Sequence, residues 1–407
     1  IARKIEDYPS NKQFGGADKI YYEEDIYVGY RYFETFAKEK VQYPFAYGLS
    51  FSRFQIKVEN WEERDDKFVF SVRVKNTGDY RAKCAWQVYL EAPQGTLGQP
   101  SRKLVYFAKT STLEPGEEEL MQAEIRQEDC ATFDDRGSSG YAHAFVLEQG
   151  EYLFHIGEDI RATENFASWQ LDETKLIEVL DNALAPRETF NRMKPMRDEE
   201  GKFSLSWEEL VVDSSQDSNN NPQQAVEAIG PNGELVLFQD WVEGKASLEE
   251  YLAQFSAEDL IALSRGIGMS PAGVTAGVAG AVGAVTEVLA DTKMPLLAVA
   301  DGPSGIRMDS GQMAFSIPNG TCLAASFNLD LNHQLFEMLA LELRKNNISS
   351  LLGPGMNIHR HPLNGRNFEY FSEDPFLTGM MACAQTRGLA SYNVAATVKH
   401  FACNNHE

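Results

Sequence analysis

The sequence predicts two folds in series: an immunoglobulin-like or fibronectin-like β-sandwich, then a parallel α/β unit. Three observations predict it. Between residues 55 and 180, apolar and polar residues alternate in short runs broken by Gly and Pro turns. From about residue 225 the pattern changes to helical segments alternating with short apolar strands. In that second half, charged residues gather where the strands end.

Composition sets the bounds. A chain of 407 residues has room for two to four domains. With 43% hydrophobic and 11% aromatic residues it can bury real cores, which excludes wholesale disorder. There are 60 acidic against 37 basic residues, a formal charge of −23. Such a chain repels phosphate backbones and anionic membranes, so neither nucleic acid nor membrane is expected as a partner. The five cysteines (Cys84, Cys130, Cys322, Cys383 and Cys403) are irregularly spaced and form no CxxC pair. That argues against a disulfide framework or a structural zinc site and for reduced thiols, mostly buried. The chain begins at Ile1 with no charged-then-apolar leader, so the expectation is cytoplasmic. The charge-free stretch Gly266–Thr286 reaches membrane-spanning length, but its Gly, Ala and Pro content predicts a flexible loop.

Taken in order, residues 1–54 hold the aromatic-rich pieces IYVGYRYFETF and YPFAYGLSFSRF without enough chain for a core of their own. Over Lys67–Lys75, Phe68, Phe70, Val72 and Val74 point one way and Val69, Ser71, Arg73 and Lys75 the other. A turn at Asn76-Thr77-Gly78-Asp79 leads to a strand with Cys84, Trp86, Val88 and Leu90 on one face. Pro115-Gly116 and Gln149-Gly150 precede later strands, the last carrying Tyr152, Phe154 and Ile156. Residues 181–224 read as a connector with loop chemistry at Ser214–Gln224; Phe190, Phe203 and Trp207 leave open an ordered stretch wrapped over a neighbour. In the α/β part, Ser247-x-x-Glu250 and Ser256-x-x-Asp259 are helix-starting capping boxes. A strand over Leu296–Ala300 ends at Asp301. A helix over Leu331–Lys345 places Leu331, Leu335 and Leu339 on one face. Ser349–Leu352 ends in Gly353-Pro354-Gly355, and a helix near Leu377–Arg387 leads to a strand over Val394–Val398.

Three polar clusters sit at strand ends: Asp301 with Arg307 in ADGPSGIR, Arg366 in GRNFEYFSEDP, and Lys399-His400 in ATVKHF. Each has a purely structural alternative. Arg366 could pair with Glu369, Glu373 or Asp374; Lys399-His400 could be a solvated strand end; Asp301 could cap the following turn. Together they suit a neutral polyol, because a carboxylate accepts from neighbouring hydroxyls while Arg, Lys and His donate to others. The Gly-rich stretch lacks GxxxxGK[ST], which argues against a nucleotide. In His359-Arg360-His361 adjacent side chains diverge and no third ligand is near, which argues against a metal.

ADGPSGIR, LLGPGMNIHRHPLNGRNFEYFSEDP and VAATVKHFACNN resemble the first, barrel domain of glycoside hydrolase family 3, in its β-glucosidase branch. VGYRYFETF and YPFAYGLSFSRF resemble the end of that family's α/β-sandwich domain, and residues 55–180, with VKNTGD and LEPGE, its fibronectin-like domain. The resemblance implies a fold: a sandwich tail over 1–54, a fibronectin III-like β-sandwich over 55–180, a connector over 181–224 and an incomplete (β/α)8 barrel over 225–407. This order places the second half first, as in permuted members of the family. It further implies that Asp301, Arg307, Arg366, Lys399 and His400 bind glucose. The acid/base glutamate is then expected before Ile1 and the nucleophilic aspartate after Glu407, leaving no catalytic residue inside an internal, by itself inactive, fragment. The implied activity is retaining hydrolysis of terminal β-D-glucosyl residues from β-glucosides and cello-oligosaccharides, without metal or organic cofactor. The alternative is a non-catalytic carbohydrate-binding or adhesion protein on the same fold. The acetylglucosaminidase branch typically carries KHFPGHG, where this chain reads Lys399-His400-Phe401-Ala402-Cys403-Asn404.

Overall fold

The computed structural model describes residues 1–15, 19–182, 185–212 and 235–406. The Ser214–Gln224 run and the expected barrel start at 225–234 lie outside the described residues.

The strands of the first half are β1 (Phe54–Arg64), β2 (Lys67–Asn76), β3 (Ala85–Glu91), β4 (Lys103–Lys109), β5 (Glu118–Arg126), β6 (Thr132–Asp134), β7 (Ala144–Leu147), β8 (Gly150–Gly157), β9 (Thr163–Leu171) and β10 (Lys175–Val179). They form antiparallel sheets in the orders β1-β2-β5, β4-β3-β8-β9 and β10-β7-β6. The sandwich core is the set the alternation predicts: Phe68, Phe70, Val72 and Val74 of β2 against Trp86, Val88 and Leu90 of β3 and Phe154 and Ile156 of β8. The opposite face of β3 is buried as well. Tyr89 packs with Tyr30, Phe107 and Leu377 in a second cluster that joins the sandwich to both flanking parts of the chain.

Helix α1 (Tyr30–Phe36) lies in the N-terminal segment, and α2 (Gln127–Cys130) is a single turn after β5. The connector contains a hairpin, β11 (Phe190–Arg197) and β12 (Phe203–Leu210), which carries Phe190, Phe203 and Trp207, the ordered alternative the sequence left open there. The hairpin straps the N-terminal segment to the sandwich. Met193 N donates to Glu23 O at 2.7 Å, and Arg192 pairs with Asp135 at 2.7 Å and Glu208 at 3.1 Å.

The second half begins with α3 (Phe238–Val242), α4 (Leu248–Leu252) and α5 (Ala257–Arg265), the last two started by the capping boxes at Ser247 and Ser256. Strands β13 (Ile267–Gly268) and β14 (Gly280–Gly283) come next, then α6 (Glu287–Asp291), β15 (Leu296–Asp301), α7 (Gly320–Ala325), α8 (Leu329–Lys345), β16 (Ser350–Leu352), α9 (Pro375–Ala390) and β17 (Ala395–Ala396). One sheet orders β13-β14-β15-β16-β17, antiparallel up to β15 and parallel from β15 to β17. The Gly-rich stretch is therefore partly strand rather than loop. Its glycines permit close backbone approach: at Gly283, φ is +99° and a Cβ would sit 2.2 Å from Pro295 O. In α8 the buried stripe is Phe336, Leu339, Ala340 and Leu343, while Leu331 is exposed, so the predicted face is rotated. Packing against α9 sets that rotation, with Gln385 of α9 donating to the buried Asn332 at 2.9 Å. The last strand is shorter than predicted, and Lys399 and His400 follow it in a loop. Among the described residues no helix is long and apolar enough to cross a membrane.

Candidate functional site

Strands β15, β16 and β17 are parallel neighbours, so their carboxyl ends share one edge. Asp301 closes β15 opposite Leu352. Beyond β16 and β17 the pairing continues: Lys399 N donates to Pro354 O at 3.0 Å and Met356 N to Lys399 O at 2.8 Å. This register carries Lys399 Nζ to 2.9 Å from Asp301 Oδ1 and 3.4 Å from Glu369 Oε2. Glu369, buried, also takes the Nε–H of Arg366. Arg366 Nη2 lies 2.8 Å from His400 Nε2, and His400 Nδ1 lies 2.8 Å from the hydroxyl of Tyr370. Asn404 Nδ2 donates to that hydroxyl at 2.9 Å. Asn357 pins the His400 backbone on both sides, accepting from its N–H at 2.8 Å and donating to its carbonyl at 3.2 Å.

Four of the five predicted residues thus form one network: Asp301, Arg366, Lys399 and His400. Arg307 does not join it. Its side chain is 64% exposed and pairs with Asp309 at 3.0 Å, while only its backbone N–H meets Asp301 O. Of the three carboxylates considered for Arg366, Glu369 alone holds it. Glu373 and Asp374 turn to α1, where they accept from Tyr30 N at 2.9 Å and Tyr30 Oη at 2.8 Å. Sequence reasoning missed Tyr370, Asn357 and Asn404. They lie in irregular loops without periodicity, and their nearness in the chain to Glu369 and Lys399-His400 was the one available signal.

The His359-Arg360-His361 run receives the N-terminal segment. His361 stacks on Phe14 with centroids 4.0 Å apart, and burial pushes the His361 and His359 imidazoles below their usual range. Arg360 forms a buried ion pair with Glu24 and lies over the Tyr22 ring at 4.0 Å. Among the described residues no group of three His, Cys, Asp or Glu side chains is placed to hold a metal ion.

Residues 274–407 match the N-terminal domain of glycosyl hydrolase family 3, and residues 85–160 match the fibronectin type III-like domain. Over residues 274–407 the chain carries a glycosyl hydrolase family 3 domain. The fibronectin-like domain precedes it, the order the sequence motifs suggested. The whole chain is similar to a β-glucosidase of Ruminococcus albus, 47% identical over 408 residues and spanning 42% of that protein. It is similar also to β-glucosidase A of Butyrivibrio fibrisolvens, 36% identical over 445 residues and spanning 52% of it. The crystal structure of a β-glucosidase from Paenibacillus barengoltzii superposes on the whole chain with a TM-score of 0.93 at 46% identity, the chain covering 45% of that structure. The chain therefore spans about half the length of the relatives it matches.

Proposed function

We propose that this chain supplies the glucose-binding wall of a retaining β-glucosidase that releases terminal β-D-glucosyl residues from β-glucosides and cello-oligosaccharides. The observation that carries the reading is the 2.9 Å contact between Lys399 and Asp301, which gathers side chains 98 positions apart at one sheet edge. Among the described residues two carboxylates, Asp301 and Glu369, face two cations, Lys399 and Arg366. A charge-balanced wall suits a neutral sugar: Asp301 can accept from neighbouring hydroxyls while Lys399 and Arg366 donate. A phosphate would instead face the two carboxylates. The names and structure of the relatives support the same reading.

The wall orients the sugar and does not cleave it. Asp301 is ion-paired with Lys399, and Glu369 with both Lys399 and Arg366, so neither is set up as proton donor or free nucleophile. We assign the displacement to a separate carboxyl pair, roughly 5–5.5 Å apart, one attacking the anomeric carbon and the other protonating the leaving oxygen and then activating water. That reaction calls for no metal or organic cofactor. The test is glucose binding by calorimetry together with hydrolysis of an aryl β-glucoside by the full-length protein. No binding and no turnover would overturn the proposal.

A further inference from the structure

We infer that Asn357 is a positioning residue for substrate binding: its side-chain amide holds the Lys399-His400 backbone and so delivers the Lys399 ammonium to Asp301 and Glu369. The ladder between β16 and β17 extends past both strands. Thr397 N donates to Leu351 O at 2.9 Å, and beyond it Gly355 pairs in parallel with Lys399. Lys399 N donates to Pro354 O at 3.0 Å, and Lys399 O accepts from Met356 N at 2.8 Å. At His400 a side chain takes over from the backbone. Asn357 Oδ1 accepts the His400 N–H at 2.8 Å, and Asn357 Nδ2 donates to the His400 carbonyl at 3.2 Å. A primary amide carries an acceptor and a donor as a peptide does, so it serves as one more rung. Its orientation is fixed by chemistry, because a backbone N–H only donates and a carbonyl only accepts.

Both peptide planes beside the Lys399 Cα are therefore held, the one before it by Pro354 and the one after it by Met356 and Asn357. With those planes fixed, only the flexible four-carbon stem separates a set Cα from the ammonium. That ammonium lies 2.9 Å from Asp301 Oδ1 and 3.4 Å from Glu369 Oε2. Asn357 is itself buried, so its amide works away from competing water. Without the amide the peptide after Lys399 loses a partner on its N–H, and the chain is freer to turn there. A shift of about 1 Å in a group that orients substrate is enough to cost much of the rate. The consequence for turnover rests on the reading of this site as a glucose-binding wall; the hold on the backbone does not.

The test is a double-mutant cycle in the full-length protein. Asn357→Ala should lower kcat/KM for an aryl β-glucoside about tenfold, the worth of one hydrogen bond. On a Lys399→Met background the same change should cost less than about threefold, because the group it positions is gone. Asn357→Leu, which keeps the buried volume, takes its place in the cycle if Asn357→Ala does not fold. Hydrogen–deuterium exchange reads the hold directly: the His400 amide should be protected in the unmutated protein and exchange at least about tenfold faster in the variant. Equal losses on both backgrounds would leave Asn357 a merely structural residue and overturn the inference, as would unchanged kcat/KM in a folded variant. A His400 amide that exchanges freely in the unmutated protein would overturn it whether or not either variant folds. If exchange behaves as expected but the unmutated protein neither binds glucose nor turns over the glucoside, the hold on the backbone stands and the sugar reading fails.

Discussion

The phenol of Tyr30 donates to Asp374 Oδ2 at 2.8 Å, a buried contact between residues 344 positions apart. The phenol oxygen of Tyr30 accepts the backbone N–H of Leu104 in β4 at 2.8 Å, and Tyr30 N donates to Glu373 at 2.9 Å. Asp374 in turn caps α9 through Leu377 N at 2.7 Å. One phenol thus ties the N-terminal segment, the sandwich and the α/β unit together where the loop carrying Arg366, Glu369 and Tyr370 ends. Gly29, at φ +58°, lets this joint close, since a Cβ there would fall 2.4 Å from the Glu373 side chain.

Tyr30→Phe should destabilise the fold by about 2–4 kcal/mol, because a buried carboxylate loses one of its donors and a buried amide loses its acceptor. Burial already pushes the Asp374 carboxyl up, Arg31 countering only in part, so removing the phenol leaves it less supported still. Urea unfolding checks this, and an unchanged midpoint would show that water or another group replaces the phenol.

Asp301→Ala and Arg366→Ala in the full-length protein should each lower kcat/KM for an aryl β-glucoside by roughly 10- to 150-fold, the worth of a charged hydrogen bond of about 1.5–3 kcal/mol. Arg307→Ala should cost far less, since its side chain is exposed and engaged by Asp309. Equal losses at Arg307 and Arg366 would place Arg307 in the wall after all. Near-normal kinetics in all three folded variants would remove the wall from the reaction.

Aryl β-glucosides should be turned over faster than N-acetylglucosaminides. At the second His of KHFPGHG this chain has Asn404, whose amide is spent on Tyr370 at 2.9 Å. β-Xylosides should be poorer than β-glucosides, because Asp301 would lose the hydroxymethyl partner. Rates on the three aryl glycosides decide this, and a best rate on the acetylglucosaminide would defeat it.

Lys103 makes stability pH-dependent. It is buried in β4, and among the described residues no carboxylate pairs with its ammonium, which donates to Cys130 O at 2.7 Å and Ala131 O at 2.8 Å. Burial lowers its pKa to about 8, against about 10.4 in the unfolded chain. Below pH 8 both states hold the proton and the folded state bears the full cost of the buried charge. Between about pH 8 and 10.4 the unfolded state binds more protons, so this group's contribution to stability rises with pH. The range is about 3 kcal/mol at most. Lys103→Met should remove that rise, measured as the difference in urea midpoints of the two proteins at pH 7.5 and 10. Parallel pH dependence in the two proteins would refute the assignment.

By itself the sequence determined the elements whose physics is local. The alternation from Phe68 to Val74 chose the inward face of β2, and Ser247 and Ser256 with their acidic partners started α4 and α5. It also determined which charged residues stand at the ends of β15 and β17, because an apolar run followed by a charge, Asp301 or Lys399, is visible along the chain. Tertiary structure decided the partners. Glu369, Glu373 and Asp374 are alike in composition and nearly adjacent, yet one faces Arg366 and two face Tyr30. Phenylalanines and tyrosines from three distant segments buried the second face of β3. Arg307 was turned to Asp309, and His400 found Arg366 on one nitrogen and Tyr370 on the other. Periodicity reports which side of an element avoids water, whereas the choice among several equally charged neighbours depends on separations of a few ångströms that exist only once the chain has closed on itself.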